Sequence, residues 1–189
     1  QPFNPYLFRI GQINHQYIAW LSVDFAMDQL KPKTIGIYSL NNPWGEESKD
    51  ALVYRLKTKY GIDPVAIAIG DQYASDTSAQ VLALKAKNPD VVFYIGFTSQ
   101  VVDFMRKSKE LGLTATLVGG ADANDPLALE GAKDVLNGTY GGLLTMTPVN
   151  GNDPKMVAFR NKFKAFYPEL EPATRPNQYD VQGYGTGLL

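Results

Sequence analysis

Short apolar runs alternate with longer amphipathic ones along nearly all of the 189 residues. Runs at 6–10, 34–40, 64–69, 91–96, 115–118 and 139–144 are brief and rich in β-branched and aromatic side chains, so they read as strands. Val91-Val92-Phe93-Tyr94-Ile95 is apolar without alternation. A strand covered on both faces within a parallel sheet has that pattern.

Between the strands the period lengthens. Over 44–60, Leu52, Leu56 and Tyr60 recur at i, i+4 and i+8, and Gly61 supplies a left-handed stop. Residues 76–88 open with the cap candidates Asp76, Thr77 and Ser78 and stop before Pro89. Residues 99–111 carry Val101, Phe104, Met105 and Leu111 on one side and end at Gly112. Residues 157–167 space Phe159, Phe163, Phe166 and Tyr167 to face inward before Pro168. Strand–helix–strand alternation at this spacing implies right-handed crossovers, and hence an α/β fold with a doubly wound, mostly parallel sheet flanked by helices. No internal repeat or low-complexity linker interrupts it. Residues 1–189 are therefore expected to form one domain, with Asn150-Gly151-Asn152-Asp153-Pro154 as a surface loop.

Composition narrows the function classes. Hydrophobic residues at 44% and charged residues at 20% support a packed core rather than disorder. Eighteen basic against nineteen acidic residues give no reason to expect nucleic acid or an anionic membrane as partner. With no cysteine, disulfides, thiol catalysis and thiolate metal sites are excluded. The longest uncharged stretch, 135–152, is broken by Gly, Asn, Thr and Pro and is not expected to insert in a bilayer. The chain opens at Gln1 without a signal peptide and reads as a processed or excised piece.

Open parallel sheets bind ligands beyond the carboxyl ends of their strands. That rule selects Asn41-Asn42-Pro43-Trp44-Gly45, Phe97-Thr98-Ser99-Gln100, and Gly119-Gly120-Ala121-Asp122-Ala123-Asn124. Two aromatics, a carboxylate and several hydroxyl and amide groups would meet there, as in a small-molecule cleft. Each residue also has a structural reading. Asn42 before Pro43 suits a helix N-cap. Trp44, at a helix start in polar surroundings, suits ligand contact better than core. Phe97 serves either a ligand or the closing of the sheet end, Ser99 either a ligand or a helix cap, and Asp122 either the cleft or a turn.

Other chemistry is poorly supported. His15 is the single histidine, so it builds no metal cluster alone, and it reads as a polar surface or hinge-side residue. No nucleophile elbow and no phosphate loop is present, and the Gly183, Gly185, Gly187 cluster has no strand before it. No cofactor is expected. The stretches Arg55-Lys57-Lys59, Arg106-Lys107-Lys109 and Arg160-Lys162-Lys164 read as solvated helix faces, and Asn137-Gly138-Thr139 is a weak glycosylation pattern.

The ordered series Tyr6-Leu7-Phe8-Arg9, Lys33-Thr34-Ile35-Gly36-Ile37-Tyr38, Trp44-Gly45, Asn88-Pro89-Asp90-Val91-Val92-Phe93, Glu110-Leu111-Gly112-Leu113, Leu117-Val118-Gly119-Gly120 and Asn137-Gly138-Thr139-Tyr140 resembles the second lobe of type I periplasmic receptors for branched-chain amino acids. The resemblance covers essentially the whole chain. It implies one α/β ligand-binding lobe, truncated from a two-lobed receptor. Residues 1–14 and the helix near 178–189 would then adjoin hinge crossings. The family's ligand-facing aromatics fall on Trp44 and Phe97. Its acidic partner for an ammonium group falls on Asp122, or on Ala121 if the loop is shifted by one, and Ser99 joins them as a candidate polar contact.

The implied function is that of a non-enzymatic, periplasmic solute receptor, or an extracellular lipid-anchored one in a Gram-positive host. It would pass a small amino acid or related organic acid to a membrane ABC permease. The same lobe also serves as an effector-sensing domain in regulators and cell-surface receptors. An enzyme on such a sheet would need a nucleophile or a cofactor loop, and the sequence offers neither.

Overall fold

The computed structural model describes residues 15–142, 151–170 and 176–187. The expected strand at 6–10 lies outside them. The chain divides into two compact units, His15–Leu143 and, drawn from both chain ends, Gln1–Asn14 with Leu144–Leu189.

The first unit holds a five-stranded sheet of β1 (Ile35–Leu40), β2 (Ala66–Gly70), β3 (Val91–Tyr94), β4 (Thr116–Gly119) and β5 (Tyr140–Gly141). The spatial order is β2-β1-β3-β4-β5, and every described pairing is parallel. All six residues of β1 and all four of β3 are buried, which accounts for their unbroken apolar runs. At the edge, β2 exposes Ile67 and Ile69 while burying Ala68 and Gly70. Helices α1 (His15–Phe25) and α2 (Pro43–Arg55) cover one face, where Val23, Leu52 and, just past the end of α2, Leu56 pack with Ile35, Ile37 and Phe93. Helices α3 (Ser78–Lys85), α4 (Thr98–Glu110) and α5 (Pro126–Gly131) belong to the opposite face. There Phe104, fully buried, stacks on Tyr38 at 4.5 Å and on Tyr94 at 5.7 Å. The sheet is thus doubly wound, with strand order reversing between β1 and β3.

Several boundaries follow from local chemistry. Both α1 and α2 run on into a π-helical turn, Ala26–Leu30 and Leu56–Tyr60, closed by left-handed Lys31 and Gly61. Asp90 fixes the start of β3 against β1, its carboxylate accepting from Lys33 N at 2.7 Å and Thr34 N at 2.9 Å. In the second unit, α6 (Pro154–Phe166) begins three residues ahead of the expected start. Asp153 caps it and Pro154 occupies its first turn. Helix α7 (Gln178–Thr186) opens on a capping box between Asn177 and Asp180. Tyr184 packs on Phe159 at 5.2 Å, whereas Phe166 and Tyr167, expected to face inward, are exposed: they lie at the end of α6, where the helix stops at Phe166.

Candidate functional site

The strand order reverses between β1 and β3, and doubly wound sheets bind ligands at the carboxyl ends of the strands flanking such a switch point. The loop after β1 is built to bring Trp44 there. Asn42 caps α2, its Oδ1 accepting from Gly45 N at 2.8 Å, and Pro43 occupies the first turn. Ser39, fully buried, donates its hydroxyl to Gly45 O at 2.8 Å. Gly45 lies so close to β1 that a Cβ there would run into the Leu40 carbonyl. This position requires glycine, and the tight turn fixes where the preceding tryptophan emerges.

From the neighbouring strand, Phe97 precedes the first residue of α4 in extended backbone conformation. It is 46% exposed, an unusual state for phenylalanine, and it stacks on half-buried Trp44 with ring centroids 5.2 Å apart and planes at 19°. The two aromatics form one platform across the switch point. The indole N–H of Trp44 donates to His15 Nδ1 at 3.1 Å, and the imidazole meets the indole edge-on at 6.0 Å. The sequence reading of His15 as a surface or hinge-side residue did not foresee this bond.

An amide network ties the loops after β1 and β2 to the first turn of α4. Asn42 donates to Gln72 Oε1 at 3.0 Å, Gln100 donates to Gln72 O at 2.7 Å, and Gln72 N donates to Asn41 Oδ1 at 2.9 Å. Asp71 accepts from Tyr73 N at 2.8 Å and from Asn41 Nδ2 at 3.0 Å, and these donors hold its carboxyl below the ordinary carboxylate range. Asn41, Asn42, Asp71, Gln72 and Gln100 thereby fix the rim by side-chain chemistry. Sequence reasoning missed Asp71 and Gln72, although the rule that selected the other three loops also applies to the residues following β2.

The remaining candidates sit along the same end of the sheet. Ala121 opens a 3-10 turn, Ala121–Asn124, directly beyond β4, and Asp122 follows it, half-buried. Asp125 caps α5 by accepting from Leu127 N at 2.9 Å. Gly119 lies against the Tyr94 ring and Ala123, where a Cβ would overlap both, so the 3-10 turn is pressed closely onto the sheet end. Ser99 is the second residue of α4 rather than its cap; it is exposed and directs its hydroxyl to Gln100 Oε1 at 3.3 Å. Trp44 and Phe97 therefore touch, while Ser99 lies in the first turn of α4 and Ala121 and Asp122 in the 3-10 turn after β4. Among the described residues, no group of three His, Cys, Asp or Glu side chains is placed to hold a metal ion. No described helix is long and apolar enough to cross a membrane.

The fold recurs in solved structures. An ABC transporter substrate-binding protein from Sphaerobacter thermophilus superposes with a TM-score of 0.81 at 22% identity, over 98% of this chain and 49% of that one. A solute-binding protein from R. palustris in complex with benzoate gives 0.77 at 18% identity, over 92% of this chain and 46% of the other. A branched-chain amino acid transporter substrate-binding protein from Streptococcus pneumoniae, in complex with isoleucine, gives 0.72 at 16% identity, over 93% and 48%. The chain thus spans about half the length of these proteins. No curated protein matches its sequence significantly. The family model described as periplasmic binding protein matches residues 1–189, and this places the chain in the periplasmic binding protein family.

Proposed function

We propose that this chain is one lobe of an extracytoplasmic solute receptor that hands a small amino acid or related organic acid to an ABC importer. The carrying observation is the Trp44–Phe97 stack, 5.2 Å between centroids, at the switch point of a chain in this family. A half-exposed aromatic pair held by a network of amides offers a flat apolar surface of fixed orientation. Two of the fold's solved relatives carry isoleucine and benzoate, which share a carboxylate and an apolar body. That chemistry suits the platform. Asp122 meets an ammonium group where the ligand has one, and Ser99 supplies a hydroxyl at the rim. If Ala121 instead occupies the acidic position, the ligand is a carboxylic acid without an amino group.

On this reading residues 1–189 form a single lobe, with 1–14 and 178–189 beside the crossings of a hinge. Closure of a second lobe buries the ligand, by the hinge motion general to periplasmic binding proteins. The protein works by capture and release and performs no chemistry. Its location is the periplasm, or the outer surface by a lipid anchor, and its protein partner is the permease.

A thermal-shift screen of the full-length protein against amino acids, aromatic acids and short-chain acids tests this. A ligand at about 100 times its dissociation constant stabilises by roughly 2.7 kcal/mol. At least one acid with an apolar body is expected to raise Tm, and the increase should be lost in Trp44→Ala. Stabilisation by a true ligand that survives Trp44→Ala and Phe97→Ala unchanged removes the platform from the account.

A further inference from the structure

We propose that His15 is a positioning residue for the aromatic platform: its Nδ1 fixes the orientation of the Trp44 indole, and so couples the start of α1 to the ligand-facing surface. The functional weight of this inference rests on the reading of Trp44 as a ligand contact.

Trp44 has one polar atom, the indole N–H. A half-buried tryptophan needs a partner for it. Asn42 caps α2 and Gln100 lies in the first turn of α4, but their side chains are committed to Gly45 and the Gln72 loop. The partner of the indole is His15 Nδ1, at 3.1 Å, from a different helix. Stacking on Phe97 alone does not fix the ring, because the torsion between a tetrahedral carbon and an aromatic ring is broad and roughly two-fold. A ring turned over by half a rotation keeps its stack but carries Nε1 to the other side. The bond to His15 removes that degeneracy. It also fixes the imidazole, since an accepting Nδ1 places the proton of the neutral ring on Nε2.

His15 is itself held at a distance. It is the first residue of α1, and the last turns of α1 and α2 are joined where Asp24 accepts two hydrogen bonds from Arg55. The two helices therefore meet through His15 and Trp44 near their starts and through Asp24 and Arg55 near their ends. A slide of α1 along α2 moves the acceptor away from the indole. The attitude of the platform is in this way tied to the packing of α1, which begins directly after residues 1–14.

The test needs no ligand. In the full chain labelled with nitrogen-15, the two indole N–H signals are assigned with Trp20→Phe, which keeps an aromatic ring against Tyr17 and Tyr54. A scalar coupling across the hydrogen bond from Trp44 Nε1 to His15 Nδ1 is expected. His15→Phe keeps a ring and removes the acceptor; the Trp44 indole signal should shift, and the near-ultraviolet circular dichroism of the stacked pair should fall. His15→Asn, whose Oδ1 can stand where Nδ1 stood, should restore the dichroism. A general packing role for His15 predicts the reverse order of the two variants. Absence of the coupling, or an unchanged indole signal and dichroism in His15→Phe, overturns the proposal. A spectroscopic loss in His15→Phe together with unaltered binding of benzoate and isoleucine in Trp44→Ala upholds the positioning role and rejects the ligand-contact reading instead.

Discussion

Asp24 accepts from three side chains at the junction of α1 and α2, and replacing it by asparagine gives a measurable test of how α1 is held. Its Oδ1 accepts from Arg55 Nε at 2.9 Å and from the Tyr60 hydroxyl at 2.9 Å. Its Oδ2 meets Arg55 Nη2 at 2.6 Å and Lys59 Nζ at 3.1 Å. The Arg55 guanidinium also lies 5.2 Å from the centre of the Trp20 ring. The carboxamide of the Asp24→Asn variant retains one acceptor but turns an NH2 toward two cationic donors. A hydrogen bond to a charged group is worth about 1.5–3 kcal/mol, and the loss of several is not additive. The Asp24 and Arg55 side chains are still 23% and 26% exposed, so water screens part of the pair. A net cost of about 2 kcal/mol follows, equivalent to a fall in Tm of about 4–8 °C for a chain of this size.

The same cluster sets a pH dependence. Arg55 first, then Lys59 and Tyr60, hold the Asp24 carboxyl well below the usual carboxylate range. A depressed folded-state pKa stabilises the fold above the unfolded value of about 4, and the contribution is lost as pH falls toward the folded value. Thermal unfolding of wild type and Asp24→Asn from pH 7 to pH 2 should show a constant gap down to about pH 5 that begins to close below about pH 4. A Tm gap under about 1 °C at pH 7, or one that does not change across the acid range, refutes the reasoning.

Three further substitutions follow from the geometry. Gly45→Ala forces a Cβ into the Leu40 carbonyl and should cost about 1–3 kcal/mol in denaturant unfolding; a neutral result shows that the turn after β1 is not tight. Phe104→Ala empties the stack between Tyr38 and Tyr94 and should cost about 3–5 kcal/mol by the same assay, with a cost below about 1 kcal/mol contradicting the described core. In the full-length protein, Asp122→Asn should weaken an amino-acid ligand by roughly ten- to a hundredfold in calorimetry and leave a simple carboxylate unaffected, whereas Trp44→Ala should weaken both; equal effects of Asp122→Asn on the two ligand classes count against its pairing with an ammonium.

The centre of the sheet was legible because β1 and β3 are buried on both faces and so spell continuous apolar runs, as in Val91–Tyr94. Helix ends marked by Gly61 and Gly112 were legible for the same kind of reason, since both residues adopt the left-handed backbone that glycine permits. Helix α1 was not foreseen. Its exposed positions carry Tyr17, Leu21 and Phe25, so it has no clean polar face. The start of α6 was hidden because Asp153-Pro154 serves equally as a loop signal and as an N-cap with proline behind it.

The site divides similarly. Asn42 was readable as a cap because its partner lies three residues away in sequence. The partners of Trp44 were not, because Phe97 and His15 are 53 and 29 positions distant, and the strand order brings up the first and the packing of α1 on α2 the second. Ser99 read as a cap because hydroxyls favour helix starts; instead the residue at the N-cap position is Phe97, whose side chain makes no capping bond and joins the platform.

The central claim is that a ligand rests on the Trp44–Phe97 platform at the switch point. A crystal structure of the full-length protein with the most stabilising acid from the thermal-shift screen tests it most directly. The apolar body of that acid is expected in van der Waals contact with both rings, within about 4.5 Å. Density for the acid in any other cavity, with Trp44 and Phe97 in contact only with solvent or protein, would contradict it.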